Sequence, residues 1–281
     1  MRLVTLVENV VYNTQLSAEH GLSLYIEYGG HRILFDTGQG DRFLKNAEVL
    51  GIDISLVDAL VLSHGHYDHA GGLETFCRAN KNARIYIKAG FFEPKFNKDR
   101  KFIGIHYNES LFAGRLITVK SRTEIFPGLY IMTDIPITNA WDTHFEDLYV
   151  QGEHGLVLDQ FNDEQFLVLK KNGAISVITG CAHRGISNIV RTAKSAFDLP
   201  VRLVLGGFHL SKSSDDMADR LIQELSTFDI EKLGCCHCTG VEKYARIKSF
   251  FGERAFYNCT GTDYAGTDYK GAEYKSAAPL R

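Results

Sequence analysis

The densest gathering of chemically able side chains is the run Ser63-His64-Gly65-His66-Tyr67-Asp68-His69-Ala70-Gly71-Gly72. Three imidazoles and one carboxylate fall within six consecutive positions, 64 to 69. Imidazole nitrogen and carboxylate oxygen suit borderline divalent ions, so the chemistry expected here is metal binding, with zinc first and iron or manganese next. Alternate residues of a turn face opposite sides, so one compact cluster can feed two adjacent ions. His64 and His66 would serve one, Asp68 and His69 the other. Glycines at 65, 71 and 72 let the backbone wind tightly around them. A polar loop with chance histidines is a poor account of four ligands so closely set.

Three more histidines share one design, a short apolar run followed by a glycine- or cysteine-bearing turn. Ala174 to Ile178 precedes Gly180-Cys181-Ala182-His183, Val201 to Leu205 precedes Gly206-Gly207-Phe208-His209, and Leu233 to Cys236 precedes His237. The first cluster follows Ala59 to Leu62 in the same way. Helical spacing follows each turn: Leu73, Phe76, Cys77; Ile186, Ile189, Val190, Ala193, Phe197; Leu221, Ile222, Leu225, Phe228 after the Ser213-Ser214-Asp215 cap signal; and Val241, Tyr244, Ala245, Lys248. Strands that feed helices place their connecting loops on one rim of a sheet, where α/β proteins bind ligands. His183, His209 and His237 are therefore expected to converge on the cluster. His20, His31, His106, His144 and His154 sit outside such turns and read as solvated or core residues.

The elements that must carry these turns alternate strand and helix, which makes the chain α/β. Residues 22 to 36 read as a hairpin across Gly29-Gly30, and residues 3 to 12 supply a further strand. Residues 91 to 145 are less regular and read as a lid or as extra β structure, with a solvated edge of aromatic and basic residues. The polar segment 263–281 reads as a loosely held or covering tail.

With 281 residues, 44% of them hydrophobic, the chain can bury a sizeable core. A net charge of -3 with scattered Lys and Arg gives no electrostatic footprint for nucleic acid. Glu8 and Asn9 interrupt the first apolar stretch, and no later run approaches a membrane span, so a cytoplasmic protein with no membrane partner is expected. Six cysteines, three of them crowded at 235, 236 and 238, are not a secreted disulfide framework. Cys235 and Cys238 form a C-x-x-C against His237, and Cys181 and Cys238 flank ligand candidates. A redox pair for the first two and direct metal ligation by Cys181 or Cys238 are the alternatives, and reduced, buried thiols are the simpler reading for all of them.

SHGHYDHAGG and the preceding Phe35-Asp36-Thr37-Gly38 resemble the H-x-H-x-D-H and FDTG-like signatures of the metallo-β-lactamase superfamily. LVENV, HGLSLYIE, LGID, ITGCAHRGI, LGGFHL and HCTG extend the likeness over most of residues 1 to 262, towards the branch related to dihydropterin-ribofuranosylaminobenzene phosphate synthase. The resemblance implies a four-layer αββα sandwich over 1–262, with an irregular insertion around 91–145. His183 would complete the first metal site with His64 and His66, and His237 the second with Asp68 and His69. Asp36 would orient a ligating histidine by fixing its ring and tautomer.

The chain departs from the family where most members offer an aspartate bridging both metals: here stands Gly206-Gly207-Phe208-His209. An imidazole cannot span two ions as a carboxylate does, so one or two divalent metals are expected. His209 then serves as a ligand of the second metal, or as a general acid or oxyanion donor. The activity implied is hydrolysis of a small, anionic phosphoester, phosphodiester or lactone-like substrate by metal-activated water, with Asp68 as a proton acceptor. Redox use of this fold calls for glutamate where His66 stands. Two other readings are a synthase-like transfer from a phosphoribosyl donor to a pterin or aminobenzoate partner, and a metal-stabilised ligand-binding protein that has lost turnover. Oligomeric state is not encoded in these patterns.

Overall fold

The computed structural model describes residues 1–112, 114–265 and 268–270. Two large sheets dominate it. The first runs Asp268–Lys270, Asp263–Ala265, Arg2–Val7, Ser23–Tyr28, His31–Phe35, Ala59–Val61, Arg84–Lys88, Leu116–Val119. The second runs Ala255–Tyr257, Lys232–Cys236, Val201–Gly207, Ala174–Ile178, Phe166–Lys171, Leu129–Met132, Thr123–Phe126. The expected hairpin is present, Ser23–Tyr28 against His31–Phe35, with Gly29 and Gly30 at φ 59° and 86°. Two successive positive φ values match the twist of the flanking strands, which explains why glycine fills both positions.

Each sheet is antiparallel in one half and parallel in the other. His31–Phe35, Ala59–Val61, Arg84–Lys88 and Leu116–Val119 run parallel. So do Ala174–Ile178, Val201–Gly207, Lys232–Cys236 and Ala255–Tyr257. Parallel strands end on the same side, so the turns at 36, 63–66, 180–183, 207–209 and 236–238 share one rim. Gln165 ties the sheets together there, its backbone N–H donating to the Ser63 carbonyl at 2.8 Å and its side-chain amide to that of Leu62 at 2.9 Å.

Three apolar layers hold the sandwich. Leu24, Ile26, Ile33, Phe35 and Val61 meet Leu167, Leu169, Ile178, Leu203 and Leu205 between the sheets. Outside the first sheet, Leu34, Leu60 and Ile85 pack on Phe43, Ala47, Leu73 and Phe76 of the helices Arg42–Val49 and Leu73–Ala79. Outside the second, Val177, Val204 and Leu233 pack on Ile189, Val190, Leu221, Leu225 and Ile247 of the helices Ile186–Phe197, Asp215–Ser226 and Val241–Phe251. Helix, sheet, sheet, helix is the αββα order. Burying each such side chain contributes about 1.5–3 kcal/mol.

One local expectation is revised. Val241–Phe251 buries Lys243, Ile247 and Phe251, not Val241 and Ala245, which are exposed. Val241 is its first residue, so the packed stripe begins two positions later, and the Lys243 amine reaches Asp215 at 2.5 Å. Residues 91–145 contribute strands to all three sheets: Leu116–Val119 to the first, Thr123–Phe126 and Leu129–Met132 to the second, and Lys95–Asn97 to a small sheet with Leu148–Gly152 and Gly155–Leu158. Of the segment 263–281, Asp263–Ala265 and Asp268–Lys270 form strands, and the remaining residues lie outside those described. Asp263–Ala265 pairs with Arg2–Val4, and the Arg2 guanidinium meets the Asp263 carboxylate at 2.9 Å.

Candidate metal centre

Asp36, Ala182, His209 and His237 have φ of 60°, 51°, 50° and 51°. A left-handed non-glycine residue costs about 1–3 kcal/mol, and four of them sit on the loops that carry the site. The strain turns the chain sharply at the strand ends and aims the side chains inward. Gly65 differs from its expected role: its backbone makes no left-handed turn, but a Cβ there would lie 2.0 Å from the Phe91 carbonyl. Close approach of a neighbouring loop, not winding, requires this glycine.

His64, His66 and His183 come together, with ligand nitrogens within 4.8 Å of one another. The Nε2 atoms of all three are buried and without a hydrogen-bond partner. Their tautomers follow from the neighbours. Ser63 Oγ donates to Asp36 Oδ2 at 2.7 Å, so it accepts from His64 Nδ1 at 2.9 Å. His183 Nδ1 donates to the His144 carbonyl at 3.2 Å. Both Nε2 atoms are therefore left as bare lone pairs. Burial pushes all three imidazoles down, His66 to about 3, so they stay neutral. Three orphaned imidazole nitrogens at one point, two of them bare lone pairs, suit a divalent cation, because a buried polar atom without a partner is otherwise a net cost.

Asp68, His69 and His237 form the adjoining group. Asp68 Oδ2 lies 3.4 Å from His237 Nε2 and 3.9 Å from His69 Nε2. His69 Nδ1 sits 2.6 Å from Asp36 Oδ2, whose partner oxygen accepts the Ser63 backbone N–H at 2.7 Å. Burial opposes the charge on His69, but the carboxylates of Asp36 and Asp68 carry it up to about 9. Burial also resists the Asp68 charge, yet His69 and the bonds from His20 and His237 pull its carboxyl well below the usual range. His209 is half-buried with its ring 4.4 Å from that of His183, and its Nδ1 has no partner.

Several contributors lie outside the strand–turn–helix pattern. His20, expected as a solvated or core residue, places Nε2 3.2 Å from Asp68 Oδ2, with its side chain 55% exposed. That bond raises its pKa. His144, read the same way, is half-buried beside His209 with ring centres 5.1 Å apart. Asn9 Oδ1 accepts from His237 Nδ1 at 2.8 Å, and Glu8 accepts the His237 backbone N–H at 2.6 Å. Glu164 accepts the His183 backbone N–H at 2.7 Å, and Phe161 stacks on the His183 ring at 3.7 Å. None of these residues stands in a motif-like spacing. Only the resemblance of LVENV and HGLSLYIE to the family touched Glu8, Asn9 and His20.

Two thiols complete the surroundings. Cys181 Sγ is 3.1 Å from His69 Nε2, and Cys238 packs behind it. Burial opposes ionisation of both, but the contact with Cys181 and the imidazoles of His209 and His237 bring the Cys238 thiol down, leaving Cys181 high.

A sandwich of this order, with H-x-H-x-D-H on its rim, defines a class of metal-binding enzymes. The family description "Metallo-beta-lactamase superfamily" matches residues 17–155. The chain is similar to the crystal structure of Tm1679, a metal-dependent hydrolase of the beta-lactamase superfamily, at 33% identity and a TM-score of 0.85, covering 95% of this chain and 100% of that one. It is 28% identical over 260 residues to 7,8-dihydropterin-6-methyl-4-(beta-D-ribofuranosyl)-aminobenzene-5'-phosphate synthase of Methanocaldococcus jannaschii, covering 85% of this chain and 88% of that protein. Zinc-bound PqqB of Methylobacterium extorquens shares the fold at 12% identity and a TM-score of 0.59, over 94% of this chain and 100% of that one. The chain belongs to the metallo-beta-lactamase superfamily, whose members bind divalent metals. No helix among the described residues is long and apolar enough to cross a membrane.

Proposed function

We propose that this protein is a metal-dependent hydrolase of a small, anionic phosphoester, phosphodiester or lactone-like compound. The convergence of the buried, unpartnered Nε2 atoms of His64, His66 and His183 carries the reading. These three would hold one divalent ion, zinc in the first instance, and Asp68, His69 and His237 a second. Bound there, such ions lower the pKa of water from about 15.7 towards about 7 and polarise an acyl or phosphoryl oxygen.

The chain's own residues supply the rest. Asp36 fixes the His69 ring through Nδ1, and Asn9 does so for His237. Asp68, held as an anion by its imidazole neighbours, is a weak proton acceptor and serves as ligand and fixed charge. His209 stands beside the first site with an unused nitrogen and is assigned as the proton or hydrogen-bond donor to the reacting group. The half-exposed imidazole of His20, held against Asp68 at 3.2 Å, is open to solvent and so within reach of substrate.

Metal analysis of protein purified without chelators, together with a hydrolysis panel of phosphoesters, phosphodiesters and lactones, tests the proposal. About one to two equivalents of metal are expected, and His66→Ala should remove metal and turnover together. Full activity in metal-free protein would sink it. A second reading is a synthase-like transfer, favoured by the 28% identity to the archaeal synthase over 85% of this chain. Pyrophosphate release from a phosphoribosyl donor, dependent on a pterin or aminobenzoate acceptor, would select it over hydrolysis.

A further inference from the structure

The strand Val201–Gly207 ends in a glycine whose side-chain space is already occupied. A Cβ on Gly207 would lie 2.5 Å from Cys238 Sγ and 3.0 Å from the Gly180 carbonyl. The volume a side chain at 207 would enter is filled by sulfur. Cys181 Sγ stands at the junction of the two candidate sites, within 4.8 Å of the ligand nitrogens of His64 and His69, of His183 and His209, and of His237 together with Cys238 Sγ. Among the described residues it belongs to three of the five such groups, more than any other side chain.

We propose that Cys181 and Cys238 are metal ligands: as thiolates, Cys181 would join the ligands of both candidate sites, with His64 and His69 on one side and His183 on the other, and Cys238 would join His237. Ligands around one tetrahedral ion, at about 2.0–2.3 Å from it, stand about 3.3–3.8 Å from each other. His69 Nε2 to Cys181 Sγ at 3.1 Å and Asp68 Oδ2 to His237 Nε2 at 3.4 Å are near that spacing. Sulfur can share two lone pairs between neighbouring ions, which an imidazole cannot do. Each thiol gives up its proton to solvent when the metal binds. Both cysteines are buried and free, so no disulfide competes for the sulfur. This inference rests on the metal-centre reading above and goes beyond it in naming the sulfur ligands.

Cobalt(II) loading of the full chain tests it without recourse to turnover. Two equivalents should bind, with a near-ultraviolet thiolate-to-cobalt charge-transfer band. Cys181→Ser and Cys238→Ser should each weaken the band at least twofold, and the double variant should keep one cobalt, on His64, His66 and His183, with no band. Cys235→Ala, whose thiol lies in none of these groups, should leave the band intact. One or two cobalt ions bound to the unaltered chain with no charge-transfer band would overturn the proposal while leaving the metal centre standing. No cobalt bound at all would overturn both. Because the band is read first on the unaltered chain, misfolding of a serine variant does not shelter the idea.

Discussion

Asp36→Asn isolates the role of one buried carboxylate. The substitution keeps shape and volume at a fully buried position. The Ser63 backbone N–H, 2.7 Å from Oδ1, holds the amide oxygen at that place, so the amide NH2 takes the position of Oδ2. It then faces His69 Nδ1 across 2.6 Å and must donate where the carboxylate accepted. The imidazole proton moves to Nε2, the nitrogen directed at Cys181, which could then no longer serve as the proposed ligand of the second ion. Loss of such a partner weakens metal affinity about 10- to 100-fold, which is about 1.4–2.7 kcal/mol. Competition between the protein and a chromogenic chelator measures it, with the first ion, on His64, His66 and His183, as the internal standard. In a His69→Ala background the same substitution should add less than about a factor of three, because the partner it orients is gone. A well-folded Asp36→Asn protein that binds both ions within twofold of the unaltered chain would refute the reasoning.

Lys95→Ala should cost about 3–5 kcal/mol in urea unfolding: its amine bridges Asp159 at 2.8 Å and Asp163 at 3.1 Å, and both carboxylates would be stranded. Asp163 also accepts the Gly65 N–H at 2.8 Å, so metal affinity should fall with stability; a loss below about 1 kcal/mol would contradict the burial argument. Burial raises the Asp142 carboxyl to about 7, against about 3.9 in an unfolded chain. The folded state then holds the proton more tightly, so the stability Asp142 contributes is full below about pH 4 and is lost as pH rises towards about 7. Thermal unfolding of metal-free Asp142→Asn protein should show a flatter profile over that window, and an unchanged slope would count against the assignment. His209→Asn, which tolerates a left-handed backbone, should lower kcat about 10²- to 10⁴-fold with metal content intact. Loss of one metal equivalent would make His209 a ligand instead.

The legible parts of this molecule are those written locally. Ligands spaced within six residues, and histidines placed just after apolar runs, revealed the cluster at 64–69 together with His183, His209 and His237. The periodicity of Ile186, Ile189, Val190 and Ala193 foretold a buried helix face. What local pattern could not hold is pairing across the sandwich. His20 reaches Asp68, Glu164 reaches His183, and Asn9 reaches His237 across 228 positions, each through a contact fixed only when the sheets close. The thiols were only half legible: Cys181 and Cys238 flank ligand candidates in the sequence, but burial alone explains them as well. Whether Cys181 and Cys238 face the core or the site depends on left-handed turns at Ala182 and His237, which the residue types at those positions do not announce.

The long reach of the Asn9–His237 bond orders events during synthesis. At about 5–20 residues per second the chain needs on the order of ten seconds after His66 to reach His183, and longer to make the strand that delivers His237. Glu8 and Asn9 meet their His237 partners only after 229 and 228 further positions have been added. On the proposed metal-centre reading, neither candidate site has all its ligands until the strand before His237 has been made.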